Sequence, residues 1–335
     1  MSLTDTIAQV KAETEALLRP ETSAPNSAFS TKLPTLQLAW DSTSLGALKR
    51  CPRYYQNSIL DGRVSTAENV HLTFGILIHK AHELYDWLRV ANEVEHKDAM
   101  LQVVRYMFAS TFDTKTKRPW FSDMPEKNRE TLVRTVIWGL TQYAADPVQT
   151  IKLKSGRPAV EVPFRFEPGI QSLNTEEEFL ICGHLDRVGE WQERLWILDY
   201  KTTRYALDDR YFEKYTPNNQ MTIYYAAGQI VIDRPIEGII VDAMQVGATF
   251  SRFRREPIHR SPRQLEAWLT DLTYWLRLAE GFAKANYWPM NDEACGLYGG
   301  CPYRQVCSEN PGMRSTILDR FYERRVWDPL KVREL

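Results

Sequence analysis

The sequence contains no uninterrupted apolar run approaching the roughly 18 residues of a membrane-spanning helix. Its opening residues, MSLTDTIAQVKAETEALL, carry acids where a secretory signal would be apolar. Both absences lead us to expect a cytoplasmic protein with no membrane partner. Cysteine is scarce, five in 335 residues, and in a reducing compartment these read as metal ligands, thiol chemistry or core packing before disulfides. Excess charge of either sign is missing too, with 42 Lys plus Arg against 43 Asp plus Glu. That balance argues against a purely electrostatic nucleic-acid binder, though not against an enzyme whose acidic metal site offsets a basic groove. No internal repeat and no G-x-x-x-x-G-K-[ST] loop occur, so the chain has no ATP-driven motor of its own. What is present is ordinary globular composition, 43% hydrophobic and 25% charged, enough for a substantial core in one large domain or two smaller ones.

Residues 18–36 combine three prolines with small polar residues and read, with the residues before them, as a flexible N-terminal segment over 1–36. Apolar positions at helical spacing (Phe74, Leu77, Ile78, Ala81, Leu84, Tyr85, Leu88) then predict a helix over 72–91, with further helices near 97–110 and 127–145. Short β-branched and aromatic runs at 159–167, 178–188 and 194–200 predict strands of one sheet. A helix over 217–232 opening at Pro217, a strand over 238–247 and a long helix over 262–285 complete the order. The fold class expected is α/β, a mixed sheet flanked by helices.

The most informative stretch is Gly183-His-Leu-Asp186, followed thirteen residues after Asp186 by Asp199-Tyr200-Lys201. That spacing fits a hairpin that brings two carboxylates together. At about 4 Å they would repel by roughly 4 kcal/mol at an effective dielectric of 20, so a divalent cation, Mg²⁺ or Mn²⁺, is the natural third party. Lys201 alternates with Asp199 and shares its face of the strand. A D-x-K tripeptide alone is more often a surface hairpin with scattered charges, and the context decides. Gly75 and His79 in GILIH put an imidazole on the first long helix, and Gln220 and Tyr224 in QMTIY put an amide and a phenol at i and i+4 of another.

In this order the motifs G-x-x-x-H, G-x-x-D, D-x-K and Q-x-x-x-Y resemble the PD-(D/E)XK nuclease superfamily, and within it the RecB-like branch, over about residues 40–310. The resemblance implies a restriction-endonuclease-like fold and a nuclease domain over 37–313 with a tail over 314–335. It also implies His79, Asp186, Asp199 and the main-chain carbonyl of Tyr200 as metal ligands, Lys201 as catalytic lysine, and Gln220 and Tyr224 as a helix-borne pair serving site and substrate. The acid before the lysine is Asp where much of the family has Glu. His82, one turn beyond His79, is the alternative ligand, since i and i+3 share a helix face.

Four of the cysteines, Cys51 and the group Cys295, Cys301 and Cys307, resemble the one-plus-three arrangement of iron–sulfur RecB-like nucleases, AddB and CRISPR-associated exonucleases among them. That implies a 4Fe-4S cluster clamping the two ends of the domain together. The C-x5-C-x5-C spacing departs from the commoner C-x2-C-x5-C. Zinc remains the alternative, although paired C-x2-4-C knuckles are missing. Cys182, inside a strand, reads as core packing. Arg252, Arg254, Arg255, Arg260 and Arg263, with Phe253 among them, either hold backbone phosphates and stack a base or form a solvated strand-to-helix connection.

The implied function is a metal-dependent DNA exonuclease in recombination, repair or phage DNA processing, its substrate DNA, with a helicase or recombination partner in trans. The alternatives are a non-catalytic nucleic-acid-binding or assembly subunit that keeps the fold, and a CRISPR spacer-acquisition nuclease.

Overall fold

A computed structural model of the protein describes residues 28–66 and 68–330, without the side chain of Tyr298. Its centre is a seven-stranded mixed sheet. The principal strands are β1 (Ala39–Trp40), β2 (Val160–Phe166), β3 (Leu180–Trp191), β4 (Arg194–Thr203), β5 (Ile236–Val246) and β6 (Ser251–Ile258). The sheet runs β1-β3-β4-β5-β6, and β2 and residues Gln149–Thr150 also pair with β3. β3 and β4 form a tight antiparallel hairpin whose loop residues, Gln192 and Glu193, both take left-handed φ (51° and 62°). Two such residues give the turn the twist that matches the strands it joins and so hold the register. β4 then pairs in parallel with β5, which turns back antiparallel into β6.

Helices cover both faces. Helices α1 (Ser42–Arg50), α5 (Asn219–Val231) and α6 (Pro262–Ala285) pack against Leu195, Ile197, Ile239 and Val241 on one face. Helices α2 (Val70–Asp86), α3 (His96–Ser110) and α4 (Arg129–Gln142) pack around Tyr200, Met244 and Val246 on the other. Because strand side chains alternate, Asp199 and Lys201 share the α5 face with Ile197, while Tyr200 points toward α2. Helix α6 forms where its sequence says it should. Ser261 and Gln264 close a capping box, Pro262 sits in the first turn, Asn286 ends the helix in the left-handed region, and Leu272, Leu276, Ala279 and Ala283 make one buried stripe. Among the described residues no helix is long and apolar enough to cross a membrane.

Several expectations change. Residues 1–27 of the expected flexible segment lie outside the described residues, but from Ala28 onward the segment is packed. Leu36 is fully buried, and the amides of Ser30 and Leu38 donate to the carbonyls of Leu36 and Ala28. The two leucines Leu33 and Leu36 reach the main core and outweigh the local polarity. The described part of the expected tail, residues 314–330, is likewise built in. Residues 314–321 are helical, Tyr322–Arg324 pairs with Arg63–Ser65, and Asp319 forms an ion pair with Arg63. The helix expected from Pro217 starts at Asn219, because the Asn218 side chain caps it by accepting from the Met221 amide. Residues 251–258, read as a basic connection, form β6, with every residue in register against β5.

Candidate active site

The β3–β4 ladder ends at Arg187 opposite Leu198. The next pair in that register is Asp186 opposite Asp199, and there the strands part: β3 turns its free edge toward β1 while β4 continues alongside β5. The fork releases backbone groups that a continuing ladder would consume. The Tyr200 amide donates to Asp186 Oδ2 at 3.0 Å, and the Tyr200 carbonyl lies 3.1 Å from His79 Nε2. His79 Nδ1 lies 3.4 Å from the same Asp186 oxygen. Helix α2 delivers His79 by burying Phe74, Ile78 and Ala81 against the sheet, which leaves the imidazole at the fork.

His82 goes elsewhere. Its ring stacks on Tyr200 with centroids 4.5 Å apart, its Nε2 has no hydrogen-bond partner, and burial pushes it down to about 3, so it is neutral. Of the two histidines, His79 is the one brought to the carboxylates.

One residue at the fork was not expected. Glu161 in β2 stands opposite Asp186, between the paired positions Val160–Arg187 and Val162–Leu185. Its φ of 45° departs from the extended backbone around it. A carboxylate oxygen of Glu161, a ring nitrogen of His79 and an oxygen of Asp186 all lie within 4.8 Å of one another. An acid in the otherwise apolar run AVEVPF was the available signal, but an ordinary strand would have assigned its direction by alternation alone.

Asp199 is fully buried, and neither carboxylate oxygen has a hydrogen-bond donor. Lys201 Nζ lies 2.6 Å from its Oδ2 as an ion pair without hydrogen-bond geometry. Burial holds the Asp199 carboxyl well above the ordinary carboxylate range, and the charge of Asp186 adds to the effect. Burial also works against the charge of Asp186, but His79 and Lys201 outweigh it and hold that carboxyl low. For Lys201 burial opposes the charged form, and Asp199 and Asp186 more than restore it, so the side chain is an ammonium at neutral pH. A cluster of hard oxygen donors and an imidazole, with a buried carboxylate left unsatisfied beside it, fits a hard divalent cation.

The sequence profile of the PD-(D/E)XK nuclease superfamily matches residues 40–308. The chain belongs to this superfamily. Its mixed sheet with helices on both faces agrees with the restriction-endonuclease-like arrangement. No curated protein matches the chain. Among solved structures, a protein of Eubacterium rectale provisionally named an exonuclease is similar at a TM-score of 0.47 and 10% identity, over 83% of this chain and 92% of that one. The structure of SSO0001 is similar at a TM-score of 0.36 and 12% identity, over 91% and 96%.

In this nuclease, helix α5 carries the expected amide and phenol on the Asp199 face. Gln220 Nε2 donates to Tyr224 Oη at 3.0 Å. The edge of Phe164 meets the Tyr224 ring with centroids 6.0 Å apart. Phe164 is held against Gly183, where an added Cβ would come 2.8 Å from the ring tip. The glycine of G-x-x-D is therefore a packing requirement of the layer that supports Tyr224.

On the opposite face a buried ionic network backs the fork. Arg187, the residue after Asp186, donates to Thr150 Oγ1 at 2.7 Å and Asp146 Oδ2 at 2.9 Å, and lies 3.6 Å from Asp86. Arg255 joins Asp146 to Asp242, at 2.5 and 2.8 Å. The expected phosphate role of the arginine segment contracts accordingly. Arg254 pairs with Asp209 and Glu256, Arg260 is buried against Thr222 and two backbone carbonyls, and Phe253 packs on Gly139. Arg252 and Arg263 remain exposed.

The ends of the nuclease domain meet at the cysteines. Asn291 donates its amide to Cys51 Sγ at 3.3 Å and its side chain to the Arg50 carbonyl at 3.0 Å, and the Cys301 amide donates to the Cys295 carbonyl at 2.9 Å. Burial raises the Cys301 and Cys307 thiols, and Cys51 acts on both of them electrostatically. Among the described residues no three of these sulfurs lie within 4.8 Å of one another. Cys182 sits apart, buried with Ala28, Ala39 and Leu180.

Proposed function

We propose that the protein is a divalent-metal-dependent DNA exonuclease of the RecB-like branch, cutting phosphodiester bonds to leave 5′-phosphate and 3′-hydroxyl ends. The observation that carries the reading is the fork: Asp186, His79, the Tyr200 carbonyl and Lys201-paired Asp199 converge where one hairpin ladder stops. Those groups would hold Mg²⁺ or Mn²⁺, with Glu161 at its side. When bound, the ion supplies Lewis acidity toward the scissile phosphate and an activated water. Lys201 stays protonated, so it contributes positive charge and hydrogen bonds toward the developing phosphate charge and does not serve as the base. Gln220, tied to Tyr224, orients the strand beside Lys201. Intact acids, histidine and lysine argue against a non-catalytic assembly subunit, since burying Asp199 beside Asp186 costs stability that a purely structural role does not require.

The same reading assigns Cys51, Cys295, Cys301 and Cys307 to a 4Fe-4S cluster that clamps the domain's ends. Support comes from the joining of Arg50 and Cys51 to Asn291. The substrate is DNA, reached with a helicase or recombination partner in trans, in the cytoplasm.

End-labelled single-stranded and duplex DNA, incubated with Mg²⁺ or Mn²⁺ and resolved by size, tests the activity. Progressive shortening from an end is expected, and no metal-dependent cleavage of either substrate would favour the assembly subunit. Anaerobically purified protein should be brown and carry about four irons per chain. Zinc without iron would defeat the cluster.

A further inference from the structure

Lys127 is a buried lysine that the proposed chemistry does not use. It is 5% exposed, lies in the turn before α4, and its Nζ sits 5.1 Å from the centre of the fully buried Phe74 ring. Its sole hydrogen-bond acceptor among the described residues is Thr202 Oγ1, at the long distance of 3.4 Å. An ammonium has three donors, and removing it from water without acceptors for them is costly. No ion pair compensates among the described residues; Glu126 acts on it only beyond ion-pair distance.

The surroundings add positive charge. Arg204, two residues beyond Thr202, is a second cation, while His71, in the first turn of α2, is held below its ordinary range by burial and by Lys127 and so stands by as a neutral ring with an N–H to donate. The first turn of α2 holds no acid, so its dipole also favours an anion. The acids nearby are Glu126 and, just before α2, Glu68, which accepts from Trp120.

The position relative to the fork gives this cluster its meaning. Thr202 follows Lys201 on β4, on the α2 side of the sheet with Tyr200, and is three residues from Asp199, or about 10 Å at the rise of a strand. His71 and His79 are eight residues apart on α2, about 12 Å along the helix. One strand of DNA rises about 3.4 Å per nucleotide along the helix axis and its backbone path is longer, so such a distance takes about two to three nucleotides.

We propose that Lys127 and Thr202, flanked by His71 and Arg204, bind a backbone phosphate of the DNA strand about two to three nucleotides from the bond being cut. The inference rests on the nuclease reading. The bound phosphate supplies the acceptors that the Lys127 ammonium lacks, and contacts of this kind set the register of the strand without reading its sequence.

Binding of a fluorescein-labelled oligonucleotide, followed by anisotropy in EDTA so that nothing is cut, tests it across a salt series. Lys127→Met keeps the packing on Phe74 and removes the charge. It should weaken binding about three- to tenfold and lower the slope of log K against log salt by just under one. Lys127→Arg should keep the wild-type slope. Arg204 is exposed, and Arg204→Gln should lower the slope in the same sense, which decides the matter if Lys127→Met does not fold. A folded Lys127→Met with wild-type affinity and slope would overturn the phosphate site and leave the nuclease reading standing; so would an unchanged Arg204→Gln if Lys127→Met fails to fold. Wild-type protein that binds no DNA would overturn both.

Discussion

Replacing Asp199 by Asn should abolish cleavage and at the same time make the metal-free protein more stable. The side chain is about 1% exposed and its oxygens have no hydrogen-bond donor. Burial, with Asp186 adding to it, pushes its carboxyl from the ordinary 3.8 up to about 6. A native value above the unfolded one means that the contribution of this group to stability is full below about pH 4 and is lost as pH rises through about 6. Two units correspond to about 3 kcal/mol. That shift is already net of the attraction of Lys201, which lowers the value. The net gain for Asp199→Asn above pH 7 is then about 3 kcal/mol, or about 4 °C in melting temperature for a domain of this size. Thermal unfolding in EDTA at pH 5 and pH 8 reads this directly, and the gap between the two proteins should narrow to about half at the lower pH. Adding Mn²⁺ should raise the melting temperature of the wild type and barely move the variant, since only a protein that binds the ion in its native state gains from it. If Asp199→Asn melts below the wild type at pH 8 in EDTA, the carboxylate is not electrostatically frustrated and the argument from its isolation fails. Retained cleavage would remove Asp199 from the site altogether.

Lys201→Ala should keep Mn²⁺ binding by calorimetry and lose most of the cleavage rate; a variant cutting at the wild-type rate would sink the role given to the ammonium. Gly183→Ala forces a Cβ against Phe164 and should cost about 1–3 kcal/mol in denaturant unfolding, because the ring cannot withdraw without disturbing Tyr224. An unchanged unfolding midpoint would show that the layer is loose. Cys51→Ser should lose iron or leave it labile and lower the melting temperature, with proteolysis rising near residues 51 and 295–307; wild-type iron content and stability would refute its role as a ligand.

Several features of this nuclease follow from local sequence alone. A two-residue turn sets the β3–β4 register, so the placement of Asp186 opposite Asp199 is a matter of counting from Gln192 and Glu193. The boundaries of α6 follow in the same way, from its cap, its proline and its apolar stripe, all of which act within a few residues. Tertiary packing decided the rest. His79 and His82 share a helix face, and only the stacking of Tyr200 on His82 assigns one to the fork and the other to the interior. Glu161 turns to the site through a left-handed backbone conformation that no alternation pattern contains. Arg255 became the centre of a buried network because Asp146 and Asp242, from an earlier loop and from β5, converge on it. Whether a charge is solvated or buried depends on what lies across from it, and that partner is brought in from far along the chain.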